Sequence, residues 1–182
     1  MIENLINLIR QNAGDAITNN PAIPNERNEE AVKETGNSIL SSLQGALSGG
    51  NIKDVIGMFT NGTASDNNPV VRQASGNLMD KLKQQFGLNT DQAAGIAGTV
   101  VPNVMNQLAQ KTADPNDKSF DVQDIFNQLS GGKTSGMNVQ GMLSKFKGGL
   151  DKDGDGDVDL QDLKSVFSGG GSVMDKVKGM FN

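Results

Sequence analysis

The sequence predicts an all-α protein, an irregular array of short helices with one acidic loop near its C-terminus. Three observations predict it. Apolar residues recur at helical spacing in segment after segment. The segments are parted by glycine, proline and asparagine, with 23 Gly in 182 residues. And the densest run of aspartates, DKDGDGDVDLQD from Asp151 to Asp162, follows one predicted helix and runs into the next.

The expected helices are 2–12, 27–48, 51–60, 69–86, 90–110, 121–130, 138–147, 160–168 and 172–181. In the first, Ile2, Leu5, Ile6 and Ile9 share one face. Pro21 and Pro24 interrupt the chain before the second helix, and Glu29 and Glu30 suit its N-terminus. Val32, Ile39, Leu40, Leu43 and Leu47 form its apolar side, and Gly49 and Gly50 stop it. Glu26, Glu29, Glu30 and Glu34 read as a solvated charged face. The 69–86 helix turns Val70, Val71, Leu78, Leu82 and Phe86 inward. The next begins at Thr90 with Asp91 and Gln92 in its first turn, and Pro102 is expected to kink or divide it. Gly95, Ala97 and Gly98 read as a small-residue packing face.

A twelve-residue pattern recurs within this array. NIKDVIGMFTNG begins at Asn51, DVQDIFNQLSGG at Asp121, NVQGMLSKFKGG at Asn138 and DLQDLKSVFSGG at Asp159; SVMDKVKGMFN, from Ser172, is a truncated copy. Each copy opens on a residue suited to N-capping, and the first four close on glycine. Apolar residues at the second, fifth and eighth or ninth places give a helix of two to three turns with one sticky face. Such a helix is too short to stand alone and needs its neighbours.

The acidic loop carries the legible chemistry. Asp151, Asp153 and Asp155 occupy places one, three and five, and Gly156 the sixth, where a sharp turn is required. Asp157 offers its carbonyl at place seven, Val158 is apolar at eight, and Asp159 and Asp162 stand at nine and twelve. This is the spacing of an EF-hand calcium loop, which wraps six to eight oxygens around a hard dication. The chain has 16 Lys+Arg and 21 Asp+Glu. Six Asp and one Lys of these lie in the loop, so the remaining charges balance at 15 against 15. Carboxylates crowded in this way repel one another strongly without a counter-ion. Glu is usual at place twelve; the shorter Asp162 lowers the expected affinity and lets magnesium compete. Leu163, Val166 and Phe167 fall where an outgoing helix buries its apolar face, while Gly148 and Gly149 break the incoming one. The loop also resembles one half of a dockerin-type repeat, where Asp commonly ends the loop, although no second half follows.

Other motifs point away from catalysis. With no His and no Cys, the commonest general base, thiolate sites and disulfides are all missing. Gly131 to Gly136, GGKTSG, contains Gly-Lys-Thr. A phosphate loop needs a glycine five places before Gly132, where Asn127 stands, and a strand ahead of it, where a helix is expected. Asp114, Asn116, Asp117 and Asp121 read as an Asx turn or a cap rather than a second cation site, because Pro115 stiffens the stretch and no glycine turns it. The acidic balance without a basic patch argues against nucleic acid, and no run is apolar enough for a membrane span. No signal peptide is read at the N-terminus, so the expected compartment is the cytoplasm.

GDAITNNPAIPNERNEEAV, the Gly-Gly-ended short helices, and VVPNVMNQLAQKTADPNDKSF together resemble the YidB-like family of small bacterial all-helical proteins. The resemblance spans residues 1–132 and implies an array of short helices; it brings no activity and no functional residue. The expected organisation is thus a YidB-like helical domain at 1–132 and a C-terminal helical segment at 133–182 containing the loop at 151–162. The expected function is non-enzymatic calcium binding through Asp151, Asp153, Asp155, Asp157, Asp159 and Asp162, with the metal ordering the C-terminal helices. The alternative is a calcium-responsive module that binds a protein partner or a second copy of itself through Met-rich short helices.

Overall fold

The computed structural model describes residues 2–49, 51–132, 134–136, 138–141 and 143. Among them the chain is all helix and turn, with no strand. Six α-helices follow one another: α1 (Ile2–Asn12), α2 (Asn28–Gly49), α3 (Ile52–Asn61), α4 (Pro69–Phe86), α5 (Thr90–Ala113) and α6 (Val122–Leu129). A π-helical turn at Gly14–Thr18 and a 3-10 turn at Asn25–Arg27 carry the chain from α1 to α2.

The starts of the helices follow from local chemistry. Asn68 accepts the amide of Val70 and Pro69 fills the first position of α4, where no N–H is missed. At α5 the side chain of Asn89 accepts the Gln92 amide while the Gln92 side chain accepts the Asn89 amide, a reciprocal capping box. Gly62 ends α3 in the left-handed conformation, at φ 65°. A side chain there would be strained and would also meet the Ala113 methyl at 3.0 Å, so glycine lets the end of α3 sit on the end of α5.

The interior is one continuous cluster. The α4–α5 and α2–α4 contacts are the most extensive, α1 lies across α2 and α5, and α3 packs on α5 and α2. Val70, Val71, Leu78 and Leu82 of α4 are buried as expected, and Phe86 is partly so. On α1, Leu5, Leu8 and Ile9 are buried, whereas Ile2 is 49% exposed. Gly36 of α2 allows α1 to come close: a Cβ there would stand 3.1 Å from the tip of Ile6 and 3.4 Å from that of Ile9. Polar groups caught between α2 and α4 are paired. The buried Ser42 hydroxyl donates to the Ser38 carbonyl at 2.7 Å and accepts from Asn77 at 2.9 Å.

Two expectations for α5 require correction. Pro102 does not divide the helix, which runs unbroken from Thr90 to Ala113. The carbonyl that loses its donor to proline belongs to Gly98, on the exposed side, where water can replace the missing N–H. Gly95 and Gly98 are themselves exposed, and an added Cβ at either would meet nothing within 4 Å. Ala93, Ile96, Ala97, Val100 and Val101 face the core instead.

The acidic face of α2 is more organised than a solvated surface. Glu29 receives two hydrogen bonds from Arg10, at 3.0 and 2.7 Å, which hold its carboxyl below the usual range. Arg27 makes a two-toothed pair with Glu30 at 2.8 and 2.7 Å and donates to the Gln85 carbonyl at 2.8 Å. Its guanidinium also lies 4.1 Å above the centre of the Phe86 ring. An exposed ion pair alone is worth little, but this one is joined to a cation–π contact and a helix-end carbonyl. It ties the start of α2 to the end of α4.

Candidate functional site

The repeat copies that the structure describes pack on one another. The first copy is α3 and the second is α6, and their apolar places are filled by buried residues: Ile52, Val55, Met58 and Phe59 in one, Val122, Ile125 and Leu129 in the other. Phe59 and Phe126 meet edge to face, with ring centres 6.1 Å apart. Met58 is 2% exposed, so it is core filling and not part of an open methionine groove.

The Asp-rich connector before α6 spends its oxygens locally. The Asp114 carboxylate accepts the backbone amide of Asn116 at 2.8 Å, an Asx turn over Pro115. Asp117 accepts the hydroxyl and the amide of Ser119 and the ammonium of Lys111, the last at 2.9 Å. These bonds, the Ser119 hydroxyl first and then Lys111, lower its carboxyl to about 2. Asp121 caps α6, accepting the amides of Gln123 at 2.7 Å and Asp124 at 3.3 Å. The four residues therefore build a turn and a cap, as their sequence suggests. Among the described residues no group of three or more acidic side chains is arranged to hold a metal ion.

The Gly-Lys-Thr stretch follows a helix and closes back on it. The Thr134 amide donates to the Ser130 hydroxyl at 3.2 Å, and both residues are buried. Gln123, on the first turn of α6, then brackets the stretch. Its amide group donates to the Thr134 carbonyl at 3.1 Å, and its side-chain oxygen accepts the Val139 amide at 2.9 Å. Val139 and Leu143, apolar places of the third repeat copy, are buried, and Asn138 accepts the Gly141 amide at 2.6 Å as that copy's cap. This bracket was invisible in the sequence, where Gln123 looks like an ordinary polar helix residue.

A shallow groove of about 460 Å³ lies between α2 and α4, lined by Glu34, Asn37, Ser38, Ser41, Asn77, Asp80, Lys81 and Gln84. The Ser41 hydroxyl there donates to the Ser38 carbonyl at 3.2 Å and faces no histidine, since the chain has none. None of the described helices is long and apolar enough to cross a membrane. The candidate ligands Asp151, Asp153, Asp155, Asp157, Asp159 and Asp162 lie outside the described residues, as do the expected helices 160–168 and 172–181.

Comparison with known families places the chain. Residues 68–181 match the family described as "Bacterial protein of unknown function (DUF937)". The chain belongs to this family. No curated protein and no solved structure matches it. The DUF937 match starts at the Asn68 cap of α4, takes in α4, α5 and α6, and continues through the acidic loop. It overlaps the resemblance noted above over residues 68–132.

Proposed function

We propose that this DUF937 protein is a non-enzymatic, YidB-like calcium-binding protein in which the ion orders the C-terminal helices. The observation that carries this reading is the spacing within Asp151–Asp162: carboxylates at places one, three, five, nine and twelve, with glycine at six. The connector at 114–121 supports it by contrast. There the acids stand beside their own backbone donors and a lysine; the loop at 151–162 has six acids, one lysine and the alternation that directs oxygens to a common centre. The ion relieves the repulsion among these carboxylates and fixes Asp162, which precedes Leu163, Val166 and Phe167 in the fourth repeat copy. A fixed structural clip is preferred over a methionine-lined switch because Met58, the one repeat methionine among the described residues, is buried in the core.

The test is a calorimetric titration of calcium, and separately of magnesium, into metal-stripped protein. One site that disappears in Asp151→Ala/Asp155→Ala is the expected result. Binding that persists unchanged in that variant, or no binding of either ion, would overturn the reading. A fluorescent dye for apolar surface, followed across the same titration, separates clip from switch, since the clip predicts no increase in dye binding.

A further inference from the structure

We propose that Asn61 is a site of spontaneous deamidation, held in check by the C-terminal cap of α3, so that its conversion reports how often that cap opens. Asn61–Gly62 is the one Asn–Gly step in the chain. Asparagine loses its side-chain amide when the next backbone nitrogen attacks Cγ, and a following glycine has no Cβ to obstruct that approach. Asn61 is the last residue of α3 and is exposed, so solvent reaches its carboxamide.

The chemistry needs only water. The Gly62 nitrogen forms a bond to Asn61 Cγ and the bond from Cγ to the side-chain nitrogen breaks. That nitrogen leaves as ammonia, having gained the proton that Gly62 loses. Water then opens the resulting succinimide. Cleavage of its bond from nitrogen to Cγ leaves aspartate; cleavage at the main-chain carbonyl leaves isoaspartate, in which the chain runs through Cγ.

The fold opposes the first step in two ways. Helical ψ at Asn61 turns the Gly62 nitrogen away from Cβ, whereas ring closure needs the two to eclipse across the Cα–C bond. The Gly62 N–H is also committed to the Met58 carbonyl, and the Thr63 N–H reaches the same carbonyl at 3.2 Å. Just beyond, the Ala64 amide donates to the Asn106 side chain on α5 at 3.1 Å, and Gly62 sits against Ala113. The attack therefore waits on an opening of the last turn of α3. Once made, the change is one-way. Aspartate puts a negative charge at the C-terminal end of a helix, where the dipole disfavours it. Isoaspartate adds an atom to the main chain between the helix and its cap, which moves Gly62 and Ala64 from their seats on α5. Either product weakens the hold of the first repeat copy on α5.

The test incubates the full chain at mildly alkaline pH, folded and in urea, and follows the tryptic fragment 54–72 by mass spectrometry, with Asn67 and Asn68 as internal controls. Conversion at Asn61 is expected in urea, and about tenfold more slowly in the folded chain, on the scale of local opening at a helix end. Asn106→Ala, which removes the acceptor of the Ala64 amide, is expected to speed conversion in the folded chain and leave the rate in urea unchanged. No conversion at Asn61 in urea would remove the site. Equal rates in the folded chain and in urea, or a folded-state rate indifferent to Asn106→Ala, would overturn the control by the cap. The comparison of folded and urea-treated wild type needs no variant and stands if Asn106→Ala folds poorly.

Discussion

Two Asp-rich stretches of this chain, 114–121 and 151–162, space the same residue type differently. Each leads into a copy of the short-helix repeat, α6 in the first case and the copy from Asp159 in the second. In the first, proline stiffens the turn, each aspartate accepts from an amide two or three residues ahead, and Lys111 pairs with Asp117. At least one oxygen of each carboxylate is thereby committed to a donor close by in the chain. In the second, glycines at 154 and 156 separate acids placed at every other position, and one lysine stands against six negative charges. The lesson is that the number of acids does not make a cation site. Spacing decides whether their oxygens meet the local backbone or one another.

The largest expected effect tests whether the helix after the first stretch is held by packing alone. Phe126→Ala removes a buried ring that meets Phe59, and should cost about 3–5 kcal/mol in denaturant unfolding, equally with calcium or with chelator. A calcium-dependent cost would mean that the two stretches are not independent. Next in size is the metal itself. Calcium at a hundredfold excess over its dissociation constant should stabilise the wild type by about 2.7 kcal/mol. Thermal melts with and without calcium should show this shift in the wild type, lose it in Asp151→Ala/Asp155→Ala, and keep it in Asp114→Ala/Asp117→Ala.

Smaller again is the cap. Asp121→Ala leaves the Gln123 and Asp124 amides without their acceptor and should cost about 1 kcal/mol, read as a lower denaturation midpoint with no change in the slope. The smallest effect is on pH. Asp117 is held at about 2 in the folded chain, against 3.8 ordinarily, so its contribution is present in full above the ordinary value. It is lost as the pH falls through about 2. The stability difference between wild type and Asp117→Asn should therefore be constant from pH 7 to about 5 and shrink towards pH 2 in urea titrations. A difference that grows on acidification would contradict the hydrogen bonds assigned to this carboxylate.

Much of the helical layout was legible because its signals are local. Residues 2–12 and 69–86 were expected as helices and are α1 and α4. An Asx turn or a cap was legible for residues 114–121 from residue type and Pro115, and the structure assigns the turn to Asp114 and the cap to Asp121. The expected close-packed glycine face of α5 failed for a physical reason: glycine permits close approach but does not bring a neighbour, and Gly95 and Gly98 fell on the side that no helix covers. Pro102 was expected to kink or divide the helix; the helix is not divided, and the carbonyl left without its donor is exposed, where water meets the cost. Arg27 carried no sequence signal at all, since Gln85 and Phe86 are nearly sixty residues away in the chain.

The sequence by itself determined where most of the described helices start and stop, which faces are apolar, and which acids alternate in the spacing of an EF-hand loop, because these depend on neighbours within one or two turns. Only the tertiary structure decided which apolar faces meet, as with Phe59 and Phe126, and which polar residues fasten one helix to another, as with Arg27 and Gln123. Those pairings arise when packing brings distant segments to hydrogen-bonding distance, and no local pattern encodes the distance that the rest of the chain must close.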